Sequence, residues 1–308
     1  MRLDSLFGLL LQIALMLGLG FFLYRRGLIK DDFKKALSDF LLDVVLPISV
    51  LSSCQTPFSA DRVSGMGITL VVSLLYYLLT LGAAHLIIRR VASGDVRIPV
   101  FMACVVFANV GFLGFPFAQS LLGSEGVLYA AIYNFSFNIF MFTYGKILLG
   151  GSKQISLREA LLSPLNIASA VAIAVFLSPF RLPAPVADAF SSVGDMMVPL
   201  SMIIIGCNLS AFNPRRILLE PMYWAASAAR LLLLPGLMLG VLWLCHLPYA
   251  LATLLVLLTA MPSGSLNVIF AERYNHAPLQ ASGIVLHSML CCAPTLALFA
   301  VLCTELLQ

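Results

Sequence analysis

The chain has 308 residues, of which 61% are hydrophobic and 10% charged, against the roughly one-quarter charged fraction of soluble domains. That composition excludes an ordinary water-soluble globule and places the chain in a membrane. The net charge of +4 needs no nucleic-acid partner, because the distribution of Lys and Arg described below accounts for it.

Apolar runs long enough to cross a ~30 Å hydrocarbon layer fall at 6–24, 36–53, 66–88, 99–122, 127–149, 160–180, 186–209, 217–245, 249–271 and 279–305. Period-two alternation is absent, so the expected fold is an all-α polytopic membrane protein with ten transmembrane helices, and not a closed barrel. The first run follows Arg2, ends at Arg25 and Arg26 and lacks a small-x-small cleavage site. It therefore reads as the first span and not as a signal peptide. Cys54, Cys104, Cys207, Cys245, Cys291, Cys292 and Cys303 form no CxxC pair, so they are packing residues and call for no metal or other cofactor.

The segment DVVLPISV from Asp43 returns as DMMVPLSM from Asp195, 152 residues later. Each copy then holds five spans, and an odd number forces the second copy to enter the bilayer inverted relative to the first. The expected halves are 1–149 and 160–308, joined by a short polar linker at 150–159 (GGSKQISLRE when read from Gly150). Alternate loops divide the basic residues fourteen to three. One side takes Arg25, Arg26, Lys30, Lys34, Lys35, Arg89, Arg90, Arg97, Lys146, Lys153, Arg158, Arg215, Arg216 and Arg273; the other takes Arg2, Arg62 and Arg181. The basic side faces the cytoplasm by the positive-inside rule, which puts both termini outside it.

Spans four and nine differ from the rest in carrying poor helix residues at mid-membrane. FANVGFLGFPFAQ holds Gly111, Gly114 and Pro116, and LTAMPSGSLNVIFAERY holds Pro262, Ser263, Gly264, Ser265 and Asn267. Pro116 frees the carbonyl of Phe112 and Pro262 that of Leu258. Lipid cannot solvate such groups, so the broken stretches are expected to line a protein-enclosed cavity, with half-helix N-termini aimed at an anion. Ordinary proline kinks with glycine-mediated helix contacts are the structural alternative.

Other polar residues carry two readings each. Asn134 and Asn138 share a face of the fifth span and correspond to His287 and Cys291 in the second copy; they serve either interhelical hydrogen bonding or a site. His287 is a candidate proton acceptor or a packed neutral imidazole. Arg230 lies about 18 Å along the eighth span, where an unpartnered cation costs at least ~2.5–3.5 kcal/mol. Its partner is a substrate carboxylate, or Asp195, or backbone carbonyls; facing the crossover, it can also stand as a fixed charge in place of a coupling cation. Asp43 and Asp195 are candidates for coupling ion movement, with a structural role as the alternative. Pro47 and Pro199 read as bends, and Glu272, Arg273 and Lys30 to Lys35 as solvated ends. Ser263, Ser265 and His287 could supply a nucleophile and base, but no GxSxG, HExxH or paired aspartates accompany them, so the chain does not read as an enzyme.

NVGFLGFP at Asn109–Pro116 and MPSGSLNVIFAERY at Met261–Tyr274 resemble the auxin efflux carrier family over the whole chain, and the short 150–159 segment resembles its bacterial branch. The resemblance implies transport of small carboxylates, malonate-like, malate-like or auxin-like, across the bacterial inner membrane. It implies the architecture shared by NhaA and the bile-acid symporters: a scaffold of spans one, two, six and seven and a transport unit of three to five and eight to ten, with broken helices four and nine crossing at the substrate. The scaffold helices are then the candidate homodimer surface, and the bilayer and the solute the other partners. Carried over by motif, Asn109 and Pro116 fall on one crossover segment and Pro262, Ser263 and Gly264 on the other, with Asn134 and Asn138 as substrate contacts. Plant carriers have a second proline where this chain has Asn267, and charged residues in the third span where this chain has Tyr76, Tyr77 and other uncharged residues. A sodium- or proton-coupled exchanger or channel on the same scaffold is the competing function.

Overall fold

The computed structural model describes residues 3–54, 59–91, 95–150, 158, 161–178, 182–210 and 219–307. Most of the 150–159 linker, and Arg2, Lys153, Arg181, Arg215 and Arg216 of the charge count, lie outside the described residues. Those described are helical, with no strand among them: α1 Leu3–Arg25, α2 Asp31–Ser53, α3 Ala60–Val91, α4 Arg97–Val106, α5 Val110–Gly150, α6 Pro164–Leu177, α7 Ala184–Ser210, α8 Pro221–Leu244, α9 Tyr249–Thr259, α10 Ser265–Arg273 and α11 Pro278–Leu306. Six of these (α2, α3, α5, α7, α8 and α11) are long and apolar enough to cross a membrane; α4, α6, α9 and the Ala14–Arg25 part of α1 are shorter apolar helices.

Helix α5 is not one rod. Gly123 breaks it with φ 59° and ψ −142°, a conformation open to glycine alone, so the chain turns back there. Three helices carry a widened π turn ending two residues before a proline: Leu41–Val45 before Pro47, Val110–Gly114 before Pro116, and Ala229–Leu233 before Pro235. Proline has no N–H to give to residue i−4 and its ring collides with that carbonyl. An extra residue in the turn relieves the collision without ending the helix.

Two compact units emerge: 1–63 with 111–131 and 164–213, and 64–110 with 132–163 and 214–308. In the first, α1 lies against Met197–Ser210 of α7, and glycine permits the approach from both sides. A Cβ on Gly20 would sit 2.1 Å from the Ile203 carbonyl oxygen, and one on Gly206 2.1 Å from that of Leu17. Leu46–Ser53 packs against α6 and against Ala184–Gly194, where Gly194 meets the Ser49 backbone. Glu125 takes Arg62 Nε at 3.2 Å and the Tyr129 hydroxyl at 2.8 Å.

In the second unit α9 is buried from Leu251 to Thr259 and touches α8 and α11. The FAERY ending of the ninth span docks α10 on the end of α5. Phe270 meets Phe142 edge-on at 5.5 Å, Lys146 Nζ stands over both rings at 5.5 and 5.9 Å, and the Tyr274 ring covers Gly150. The residues that most marked the sequence thus have a packing task.

Candidate functional site

Within the second unit two helices stop and restart. Helix α4 ends at Val106, and Phe107 is extended at φ −93°, ψ 106°. Helix α9 ends at Thr259, and α10 begins after Gly264 at φ −75°, ψ 142°. The two unwound stretches pair with each other as a single antiparallel bridge between Ala108 and Ser263. The Asn109 N–H donates to the Pro262 carbonyl at 2.7 Å, and the Gly264 N–H to the Phe107 carbonyl at 2.9 Å. Buried main-chain groups that leave a helix need such partners, the more so at membrane depth.

Side chains complete the pairing. Asn267 Nδ2 donates to the same Phe107 carbonyl at 3.1 Å, and Ser263 N–H donates to Ser288 Oγ at 3.0 Å. The Ser263 hydroxyl donates to the Cys104 carbonyl; the α-helical donor for that carbonyl would be the N–H of Ala108, which lies beyond the helix end. Gly264 sits so close to the opposing stretch that a Cβ would meet Ala108 O at 2.8 Å and Ala108 C at 3.2 Å.

Arg230 ties the two helix ends together. It rides on the π turn Ala229–Leu233 and is fully buried. Nε donates to Met261 O at 3.1 Å; Nη1 donates to the Tyr76 hydroxyl at 2.8 Å, Val105 O at 2.9 Å and Val106 O at 3.0 Å; Nη2 donates to Thr259 O. Apart from the Tyr76 hydroxyl, these are carbonyls at or just past the C-terminal ends of α4 and α9, where the peptide dipoles leave partial negative charge. Tyr76, which accepts from Arg230, donates in turn to Val106 O at 3.3 Å on the α4 side.

An aromatic wall backs this arrangement. The Tyr77 ring is fully buried among Tyr76, Phe107, Tyr133, Phe137 and Phe140, with centroids 4.9 to 6.2 Å away. The Tyr133 hydroxyl reaches Thr259 Oγ1 at 3.3 Å, and Ser73 and Ser136 pair at 2.7 Å. Against the enclosed C-terminal ends stands the N-terminus of α10, which has no side-chain cap and whose Ser265 and Leu266 are half-buried.

The second unit brings together Asn109, Arg230, Pro262, Ser263, Gly264, Ser265 and Asn267, all tied to the crossing. It also contains Asn134 and Asn138, both buried, and His287. The break in the fourth span differs from expectation. It falls at Phe107–Asn109, ahead of Gly111, Gly114 and Pro116, which belong to the following helix and to the first unit. Pairing with Pro262 to Gly264 sets the break, and the proline is absorbed by its π turn. Asp43 and Asp195 also lie in the first unit, and both are exposed at the protein surface. Of the three partners considered for Arg230, backbone carbonyls are the ones it meets. His287 Nδ1 pairs with Ser227 Oγ at 2.7 Å, and Trp224 packs on its ring at 4.5 Å, while the Ser263 hydroxyl faces Cys104. Tyr76, Phe107, Ala108 and Ser288 also belong to the crossing, although none of them is a helix breaker or a charged residue that would mark it in the sequence.

The profile of a family described as membrane transport protein matches residues 5–156 and 151–300. An uncharacterized transporter of Methanothermobacter thermautotrophicus is 24% identical over 268 residues, 85% of this chain and 86% of the relative. Another, of Methanocaldococcus jannaschii, is 21% identical over 274 residues, 86% of this chain and 88% of the relative. With most of its length inside the family profile, and with interrupted helices pairing where the carrier motifs lie, the chain belongs to the auxin efflux carrier family of membrane transport proteins.

Proposed function

We propose that the chain is a secondary carrier of small organic anions, malonate-like, malate-like or auxin-like, working by alternating access. The observation that carries this reading is the antiparallel pairing of Ala108 with Ser263 between two interrupted apolar helices. Such discontinuous helices place binding groups near the bilayer midplane in many carriers. The carboxylate is held at the N-terminal end of α10, where Ser265 and Leu266 are half-buried and the helix dipole favours negative charge. Asn109, Asn134, Asn138, Pro262, Ser263, Gly264, Ser265 and Asn267 shape that place, with Gly111, Gly114 and Pro116 on the helix that follows. Arg230 contributes positive potential at the crossing without binding the solute directly, since its donors are engaged by backbone oxygens and the Tyr76 hydroxyl.

The membrane arrangement proposed with it has ten spans in two inverted halves, 1–149 and 160–308, with both termini outside the cytoplasm of a bacterial cell. Spans one, two, six and seven form a scaffold, through which two copies associate, and three to five with eight to ten form a transport unit. The separate compactness of 1–63 with 164–213 and of 64–110 with 214–308 supports that division; 111–131 joins the first group. His287, Asp43 and Asp195 remain the residues to test for ion coupling.

Uptake of labelled malonate, malate and an indole-acetate-type acid into proteoliposomes tests the reading. At least one of the three is expected to show saturable uptake that falls sharply in Asn109→Ala and Pro262→Ala. Saturable uptake that both variants leave unchanged would remove the crossing from the mechanism, and currents of single-channel size would favour a channel instead.

A further inference from the structure

Arg230 has a chemistry that anion carriage does not require. Its guanidinium is surrounded by four backbone carbonyl oxygens, of Val105, Val106, Thr259 and Met261, and by the Tyr76 hydroxyl oxygen. No carboxylate is among them, and no ion pair among the described residues includes Arg230. The residue is 0% exposed. A cluster of hard, neutral oxygens around one enclosed positive charge is the coordination set of an alkali cation. Unwound carbonyls and half-helix C-terminal ends hold the coupling sodium ion in other carriers with discontinuous helices.

We infer that the Arg230 guanidinium is a built-in substitute for a bound monovalent cation, and that removing the side chain converts the oxygen cluster into a sodium site. The carbonyls at the ends of α4 and α9 cannot be left facing one another. Their helices run out at Val106 and Thr259, their dipoles put partial negative charge at both ends, and protein covers them on all sides. Some cation must lie between them. A covalently attached one is always present, whatever the salt outside, so the crossing holds together without an ion gradient. The π turn at Ala229–Leu233 has a purpose in this arrangement, because it is the local irregularity on which the cation is carried in from α8.

The test uses the full-length protein purified in detergent and follows thermal unfolding in sodium, potassium, choline or low-millimolar guanidinium chloride at matched ionic strength. Wild type is expected to show the same Tm in sodium as in choline. Arg230→Ala is expected to melt lower in choline and to regain at least about 3 °C in sodium or guanidinium, with no gain from added choline. A structural arginine whose only task is to fill space would show no cation-specific recovery. Arg230→Lys keeps a tethered cation with fewer donors. It is expected to fold, to melt below wild type and to show no sodium gain, and it decides the matter where the alanine variant yields no folded protein. An alanine variant indifferent to every cation, a lysine variant that gains from sodium, or a wild type that gains as much as the variant would each overturn the inference. No transported solute enters the measurement, so its outcome is separate from that of the uptake assay.

Discussion

Gly264→Ala isolates the pairing of the two unwound stretches from every other property of the second unit. Gly264 has φ −75° and ψ 142°, which alanine adopts freely, so the substitution costs nothing in backbone strain. What it adds is a methyl group 2.8 Å from Ala108 O and 3.2 Å from Ala108 C. Ordinary contact begins near 3.4 Å, and the obstructing atoms are main chain. The two stretches must therefore separate by roughly 0.6 Å, which lengthens the Gly264 N–H to Phe107 bond from 2.9 Å to the edge of hydrogen-bonding range. The neighbouring Asn109 to Pro262 bond weakens with it. Two buried bonds at about 0.5–1.5 kcal/mol net each give a loss of about 1–3 kcal/mol, or roughly a 5- to 150-fold fall in the population with the crossing intact. Gly82→Ala is the control, because nothing lies within 4 Å of its Cβ and alanine is the better helix former by about 1 kcal/mol. Thermal unfolding and initial uptake rates in proteoliposomes are compared for the pair. Gly264→Ala is expected to lose in both, Gly82→Ala in neither; equal behaviour of the two would refute the pairing as the element that holds the crossing.

Three further substitutions probe close contacts and backbone geometry within each unit. Ser263→Ala leaves the Cys104 carbonyl without its side-chain donor and should cost about 1–3 kcal/mol, largely recovered in Ser263→Thr; denaturant or thermal unfolding reads both. Gly20→Ala drives a methyl group into the Ile203 carbonyl, so overpacking of about 1–3 kcal/mol should lower the Tm, whereas Gly18→Ala, with nothing near its Cβ, should not. Gly123→Ala places an L side chain at φ 59°, ψ −142° and should cost on the order of 1–3 kcal/mol. Unchanged folding yield and Tm there would contradict the turn assigned between the two parts of α5.

Much of the helical framework was legible because long apolar runs leave the chain few options. The stop at Gly123 and the restart at Pro278 follow from residues with strong local preferences. The ninth-span break was legible for the same reason, since Pro262 and Gly264 mark it directly. The fourth-span break was not. Phe107, Ala108 and Asn109 include no strong helix breaker, and their extended backbone is held by Pro262, Gly264 and Asn267, more than 150 positions away. The conspicuous Gly111, Gly114 and Pro116 drew attention a turn too far along, because a π turn accommodates a proline without unwinding the helix. Arg230 was visible as an anomaly, a cation inside an apolar run, but its partners are four main-chain oxygens and the distant Tyr76 hydroxyl, which no sequence pattern encodes.

The two kinds of helix end at the crossing meet different surroundings, and this bears on what the proposed carrier would accept. The C-terminal ends of α4 and α9 are closed off, their carbonyls held by Arg230 and, on the α4 side, by the hydroxyls of Tyr76 and Ser263. The N-terminal end of α10 has no side-chain cap. On the proposed reading, partial negative charge is met inside the protein while partial positive charge is left for the solute, and the fixed cation adds to the same sign of potential. An arrangement with the opposite sign, a tethered carboxylate at the N-terminal end and bare carbonyls, would select cations. The polarity of the crossing therefore rests on which end the protein supplies with its own counter-charge, and in this chain that choice is made by one buried arginine.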